Sequence, residues 1–268
     1  MPNPQRLCVF CGGTPVTKED VWPIWSRRYL PSTQPDYSIM RSILERDRRL
    51  HGSVRKLSGD PKSRRVKIVC ATCNNGWMSV LQNEAKPLVL PLMNGERTTL
   101  NESKQKLIAA WAAMTVICAE YFTAGNATSL VVDRRHLFLR KEAPKRLRIW
   151  IGNFRRRKWP AYWVHNSLLI SEHETPYPWT IGPGGLPRPN TQITTLTFGN
   201  LYLHTFSCPF PEILGSFEPR GTHVVQIWPI REKFIVWPPR ATIDDRAADG
   251  IAGAIFNRLD AIGVAMRS

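Results

Sequence analysis

Two closely spaced cysteine pairs constrain this chain more than any other feature of its sequence. Each pair has the form Cys-x-x-Cys, with Cys8 and Cys11 in the first and Cys70 and Cys73 in the second. Two thiolates on one turn form half of the tetrahedral shell that Zn²⁺ prefers, and two such pairs complete it. Because 58 residues separate the pairs, the predicted zinc would join the start of the chain to a distant second element.

The charge of the chain indicates a polyanionic partner. The formal net charge is +16 and the isoelectric point is near 10.1, and phosphate neutralisation by Lys and Arg supplies most sequence-independent affinity for nucleic acid. A basic protein without such a partner is the alternative. The first residues lack the apolar core of a secretory signal, and the longest apolar run, 107–119, is too short to span a bilayer. We therefore expect a cytoplasmic protein with no membrane partner.

Two domains are predicted, with a boundary near Pro87 and Pro91. Residues 1–90 would contain the zinc module, a basic excursion between the cysteine pairs that is interrupted by glycine and proline, and a helix over 74–85. The excursion, 41–67, holds ten Lys or Arg against three acids. The sequence assigns no role to this excursion.

Residues 91–268 have the pattern of an α+β domain built on an antiparallel sheet. Residues 103–122 carry apolar side chains at three- and four-residue spacing, which predicts a helix with one buried stripe. Five β-branched or aromatic runs follow, which predict strands at 148–152, 161–164, 192–198, 201–206 and 223–230. Phe198-Gly199-Asn200-Leu201 predicts a hairpin turn, and a capping motif at 242–245 predicts a terminal helix.

Three polar residues close to the cysteines form a candidate second site. Glu19 and Asp20 follow the first pair, and Asn74 comes directly after the second. If zinc holds the pairs together, one of these carboxylates approaches the Asn74 amide, and such oxygens suit Mg²⁺ or Mn²⁺. A cation held there would polarise a phosphodiester. The alternative is that all three residues cap the helices that follow them.

The sequence resembles the HNH nucleases, also called the ββα-metal or treble-clef family, and most closely the bacterial and phage type. The resemblance lies in Cys-x-x-Cys-Gly-Gly at 8–13, Thr-Lys-Glu-Asp-Val-Trp-Pro at 17–23 and Cys-x-x-Cys-Asn-Asn-Gly-Trp-Met at 70–78. It implies an N-terminal treble-clef module with structural zinc on the four cysteines, and a metal-dependent DNA endonuclease activity. Glu19 would be the acidic metal ligand, and Asn74 would help to fix the catalytic site.

The chain departs from the family pattern at Asp20, where the family has the histidine that activates water. A carboxylate, with a reference pKa of about 3.9, is a weaker base than imidazole at neutral pH. Asp20 therefore either binds metal beside Glu19, substitutes as the base, or marks a zinc module that no longer cleaves and acts as a nucleic-acid-binding or protein-interaction module. His51 is a further candidate base, although a histidine in a polar loop is usually solvated.

Two other sets of residues have a functional and a structural interpretation. The run 134–158 holds eleven Lys or Arg against one acid, which suits phosphate contact beside aromatic rings but also a charged edge strand. His204 and His223 fall in predicted strands, where a hydrogen-bonded structural role is the usual one. We expect the run to bind nucleic acid and the two histidines to be structural.

Overall fold

The fold is that of a computed structural model, which describes residues 6–29, 36–44, 50–58, 65–122, 127–155, 163–168, 189–211, 214, 218–219, 223–261 and 266–267. For residues 36–44, 50–58, 168, 255–261 and 266–267 only the backbone is described. The described chain is a mixed α+β structure whose sheets are predominantly antiparallel. The predicted fold class is confirmed at this level.

Short strands and a few long helices alternate along the chain. The strands are β1 (Val16–Asp20), β2 (Asp36–Leu44), β3 (Leu50–Ser58), β4 (Arg65–Cys70), β5 (Thr98–Asn101), β6 (Leu147–Phe154), β7 (Trp163–Leu168), β8 (Thr191–Phe198), β9 (Leu201–Ser207), β10 (Val224–Trp228), β11 (Phe234–Trp237), β12 (Thr242–Ile243) and β13 (Met266–Arg267). The helices are α1 (Ala71–Cys73), α2 (Ser79–Asn94), α3 (Glu102–Glu120), α4 (Val131–Arg140) and α5 (Asp245–Ala261), with a 3-10 helix over Ile24–Tyr29 and a π-type segment over Asn74–Met78.

The N-terminal part is built on the pairing of β1 with β4. The two strands are antiparallel, and β4 leads directly into α1. Between them, β2 and β3 pair antiparallel along their whole lengths. The expected interruption of the basic excursion at Gly52 is therefore wrong, because Gly52 pairs with Ser42 inside the ladder. A glycine keeps its backbone N–H and can continue a strand, although it packs poorly.

Helix α2 continues past the prolines that mark the predicted domain boundary. Pro87 and Pro91 both lie inside it, and the helix ends instead at Gly95, whose φ is +72°. The Gly95 and Glu96 N–H groups donate to Leu92 O and Pro91 O, as is usual where a left-handed glycine ends a helix. The predicted boundary thus falls within a helix, and the division into domains 1–90 and 91–268 stays a prediction.

Helix α3 confirms the predicted helix but is buried on all sides. Every residue from Ile108 to Glu120 is buried, and the Asn101 side chain accepts from Lys104 N at the start of the helix. The expected single stripe is wrong because α2, α4, β5, β6 and β10 all contact α3. A helix surrounded in this way buries its whole circumference.

A six-stranded sheet lies behind α3, with β10, β6, β9, β8 and β7 in that order and β12 beside β6. The neighbours in this order are antiparallel, and β12 is parallel to β6. The predicted hairpin is confirmed: Phe198 pairs with Leu201, and Gly199 has φ +58°. A Cβ on Gly199 would lie 2.5 Å from Met93 O, so the hairpin packs closely on the end of α2.

Smaller pairs complete the fold: β5 with β11, antiparallel, and β3 with β13, parallel. The predicted terminal helix is α5, and Asp244 caps it by accepting from Ala247 N at 2.9 Å. The larger of two hydrophobic clusters in the described residues runs from Cys8 and Trp22 through Trp111 to Trp237. It joins the elements that carry the cysteines to the six-stranded sheet.

Candidate metal centre and the adjoining polar site

The four predicted zinc ligands converge. The Sγ atoms of Cys8, Cys11, Cys70 and Cys73 all lie within 4.8 Å of one another, and this cluster is the candidate metal site among the described residues. The first pair lies on a tight turn, closed by Cys8 N donating to Gly13 O and Gly12 N donating to Cys8 O, each at 2.9 Å. The second pair comes from the end of β4 and the first turn of α1.

The spacing of the sulfur atoms fits a tetrahedral ion. Zinc–thiolate bonds of about 2.3 Å place the sulfurs of a tetrahedron about 3.8 Å apart, and Cys11 Sγ lies 3.5 Å from Cys70 Sγ. Gly13 N donates to Cys11 Sγ at 3.3 Å, and a Cβ on Gly13 would lie 3.2 Å from that sulfur. The residues present therefore could hold a metal ion such as zinc.

Burial and backbone hydrogen bonds shift the pKa values of the clustered thiols in different directions. Burial opposes ionisation of Cys8, but backbone N–H groups around it outweigh that effect and lower its pKa to about 7. Burial raises the pKa of Cys73 and of Cys11. Four neighbouring thiolates repel one another, so a divalent cation is what allows all four to be ionised together.

Helix α4 covers one side of the cysteine cluster. Trp77 packs edge-on against Phe10 at 5.0 Å and against Phe138 of α4 at 6.1 Å between ring centroids. Lys141 Nζ lies 4.8 Å from the centroid of the Trp77 ring. Arg134 Nε donates to Val9 O on the first cysteine turn at 3.0 Å. The basic run that begins at residue 134 thus starts as a helix docked on the candidate metal site.

Glu19 and Asn74 meet beside the cluster, as the sequence predicts for one of the two carboxylates. Glu19 is 7% exposed and faces inward from β1, and the Asn74 side chain is close enough to influence its carboxyl group. Burial, then repulsion from Asp20, raises the pKa of Glu19 to about 7; the Asn74 side chain and the nearby Arg65 charge limit the rise. Asn74 opens the π-type segment, which contains the non-helical Gly76, rather than serving as a simple cap.

Asp20 faces the other side of β1 and is held by two arginines. Its Oδ1 accepts from Arg27 Nη2 at 2.5 Å and from Arg65 Nε at 2.9 Å. The partners of Asp20 are therefore guanidinium groups and not the backbone N–H groups of a following helix. Alternation along the strand separates the two acids: Glu19 is buried, and Asp20 is half-buried on the other face.

The three histidines considered in the sequence lie in strands or next to one. The backbone of His51 lies in β3, and its side chain is outside the described residues. His204 is buried, its Nδ1 lies 2.8 Å from Thr195 Oγ1, and burial lowers its pKa to about 3. Nδ1 of the exposed His223 lies 3.2 Å from Thr242 O. The structural interpretation of His204 is confirmed.

The second basic run does not form an edge strand. Its strand is β6, which pairs with β10 on one side and β9 on the other and is almost wholly buried. That alternative is therefore wrong, and the exposed cations of the run belong mainly to α4 and the loop after it. The cationic stretch at 156–158 lies outside the described residues.

Sequence reasoning missed a buried carboxylate that connects the sheet to this site. Glu120, at the end of α3, is fully buried and accepts from Thr128 N, Ser129 N and Gln192 Nε2 at 3.0, 2.9 and 2.6 Å. Arg134, which contacts the first cysteine turn, also donates to Ser129 O. An acid at the end of a long apolar helix was the one signal that could have identified this network.

Comparison with known proteins places no further constraint on the chain. No family model, no curated protein and no solved structure matches it. The likeness to the HNH family therefore rests on the residues quoted above. Within the part of the chain that the structure describes, no helix is both long enough and apolar enough to cross a membrane.

Proposed function

We propose that the protein is a zinc-stabilised, cation-dependent endonuclease of the HNH type that cleaves nucleic acid, with DNA as the first substrate to test. The observation that carries the proposal is the placement of the buried Glu19 carboxyl near Asn74, which directly follows the last of the four clustered cysteines. A cysteine turn, an antiparallel strand pair and a helix that opens on the second cysteine pair occur in the order expected of a treble-clef module.

Glu19 and Asn74 have the chemistry needed to hold the catalytic cation. A carboxylate and an amide oxygen are ligands that Mg²⁺ and Mn²⁺ accept, with water and phosphate supplying the rest. When bound, such a cation polarises a phosphodiester and stabilises the leaving oxygen. Because the pKa of Glu19 is about 7, its carboxyl is partly protonated at neutral pH and becomes fully ionised as a ligand.

In this proposal Asp20 is a positioning residue. Its carboxylate holds the Arg27 and Arg65 side chains at the end of β1, where their guanidinium groups suit the oxygens of a phosphate. Glu19 is then the carboxylate left for metal binding. The reduced cysteines that zinc requires are consistent with the cytoplasmic location that we propose.

A second candidate is a module that binds nucleic acid and no longer cleaves it. The favouring observation is that Asp20, at the position of the family's histidine, is engaged by two arginines. Under this alternative the zinc and the basic surface are retained, and the water-activating group is lost.

Cleavage assays separate the two candidates. Supercoiled DNA, single-stranded DNA and RNA are incubated with the protein in Mg²⁺, Mn²⁺ or EDTA, alongside Glu19→Gln, Asn74→Ala and Asp20→His. The endonuclease proposal predicts cation-dependent cleavage by the wild type and a loss of at least about tenfold in the first two variants. Cleavage by Asp20→His alone would establish the binding module instead.

Matched controls guard against contaminating nucleases and misfolding. Glu84→Gln and Asn83→Ala make the same chemical changes at exposed positions of α2, and both should cleave like the wild type. Elemental analysis should find one zinc per chain in every variant. Cleavage by Glu19→Gln at the wild-type rate would refute the assigned role of Glu19.

A further inference from the structure

The outer face of the β1–β4 ladder carries an unusual arrangement of charge. In the register of the two strands Lys18 lies directly opposite Lys67, and both are exposed. Two residues further along each strand, Asp20 lies opposite Arg65. Arg27 is also bonded to Asp20. We call Lys18, Lys67, Arg65 and Arg27, with Asp20 among them, the cationic ladder face.

Two lysines directly opposite each other work against the strand pairing. Like charges at directly opposed positions destabilise an antiparallel pair. Neither Lys18 nor Lys67 forms an ion pair with an acid in the part of the chain that the structure describes. An anion bound between the two ammonium groups would attract both of them and offset their mutual repulsion.

The arginines extend the same positive surface. Arg27 and Arg65 share the one carboxylate of Asp20, so four cations face a single acid and the five side chains retain three positive charges. A guanidinium group has five N–H donors, and within the described part of the chain Arg27 and Arg65 each donate one bond, to Asp20 Oδ1. Arginine donors of this kind match the oxygens of a phosphate.

The charged pairs follow one another along the ladder. The Lys18–Lys67 and Asp20–Arg65 pairs are two residues apart along each strand, about 6.8 Å. An extended polyanion lying along the ladder would therefore pass Lys18 and Lys67 and then the arginines around Asp20.

From these observations we propose that the cationic ladder face binds the phosphodiester backbone of nucleic acid, through Lys18 and Lys67 with Arg65 and Arg27 beside them. The inference deepens the proposed function and rests on it for the identity of the partner. Glu19 lies between Lys18 and Asp20 in β1 and faces the opposite, buried side. The cationic ladder face and the proposed cation ligand therefore lie on opposite sides of β1, and binding can be tested separately from cleavage.

The test is the salt dependence of binding to a fluorescent oligonucleotide, single-stranded and duplex, measured by anisotropy from 50 to 300 mM salt in EDTA-free buffer without Mg²⁺. Each lysine that neutralises a phosphate contributes about one unit to the slope of log K against log salt. Lys18→Gln/Lys67→Gln should therefore lower the slope by about two. Lys18→Arg/Lys67→Arg should restore it.

Lys86→Gln/Lys233→Gln is the matched control, because it removes the same net charge at two exposed lysines elsewhere. It should leave the slope within about half a unit of the wild type. An unchanged slope in Lys18→Gln/Lys67→Gln, or an equal fall in the control, overturns the proposal. Tight binding of polyglutamate through Lys18 and Lys67, with no oligonucleotide binding, assigns the face to an acidic protein and also overturns it.

Failure of this inference and failure of the proposed function have different signatures. If the wild type binds nucleic acid through the two lysines but cleaves no substrate, the cationic ladder face is supported and the endonuclease proposal is refuted. If the wild type cleaves with cation dependence and the salt slope is unchanged in Lys18→Gln/Lys67→Gln, the cationic ladder face is refuted. The endonuclease proposal is then unaffected.

Discussion

The buried carboxylate of Glu120 makes a quantitative prediction about what joins the candidate metal site to the sheet. Its two oxygens accept three hydrogen bonds inside the protein, from Thr128 N, Ser129 N and Gln192 Nε2. Glu120→Ala removes the acceptor and leaves all three donors behind. Glu120→Gln keeps the shape and one oxygen but turns an NH₂ group towards a donor.

The magnitude follows from the unpaired donors. A buried donor left without a partner costs about 1–3 kcal/mol, so three donors give an upper range of about 3–9 kcal/mol. Two effects reduce this. Burial raises the pKa of Glu120, so the native carboxylate already carries a desolvation cost that the substitution relieves, and water can enter the space that alanine leaves. We expect a loss of about 3 kcal/mol for Glu120→Ala and about 1–2 kcal/mol for Glu120→Gln.

The assay is urea unfolding of the zinc-loaded protein under reducing conditions, followed by tryptophan fluorescence. Glu84→Ala, at an exposed position of α2, is the control and should change the unfolding free energy by less than about 0.5 kcal/mol. A value for Glu120→Ala within the error of that control would refute the reasoning. Because Arg134 bonds both Ser129 O and Val9 O, we also expect Glu120→Ala to lose zinc to a chelator faster than the control.

Two further predictions concern the candidate site itself. Because burial raises the pKa of Glu19 to about 7, the native state favours its protonated form; the stability from this group is complete below pH 4.5 and is lost as pH rises through 7. Relative to Glu19→Gln, the wild type should therefore lose about 2 kcal/mol between pH 5.5 and 7.5, measured by urea unfolding with no free divalent cation; a constant difference contradicts this. Removal of zinc with a strong chelator, or Cys70→Ser, should lower the melting temperature by more than 5 °C; Cys208→Ser, at a cysteine outside the cluster, should keep its zinc, and equal zinc contents in the two variants would exclude the four-cysteine site.

Local sequence patterns predicted most of the regular elements well. The helix α3, the strands β6, β8 and β9 and the Phe198–Leu201 hairpin lie within a few residues of their predicted positions. These elements depend on apolar periodicity and on turn residues, which act over a few neighbouring positions. The predicted end of the helix before the prolines of α2 is wrong for the same reason. Proline is a local helix-breaking signal, and the packing that keeps Pro87 and Pro91 inside a helix depends on residues distant in the sequence.

The sequence by itself determined the chemistry available: four thiols in two pairs, two adjacent acids, an asparagine after the second pair and a large positive charge. Tertiary structure decided how these groups are used. The pairing of β1 with β4 turned Glu19 inward to Asn74 and placed Asp20 between Arg27 and Arg65. The same register set Lys18 opposite Lys67.

The physical reason is that a strand turns successive side chains to opposite faces, so a shift of one residue in register would exchange Glu19 and Asp20. Register depends on partners far along the chain; the bonded residues Asp20 and Arg65 are 45 positions apart, and Glu120 and Gln192 are 72 apart. No local pattern in the sequence contains those pairings. They arise only when burial of the shared core brings the distant segments together.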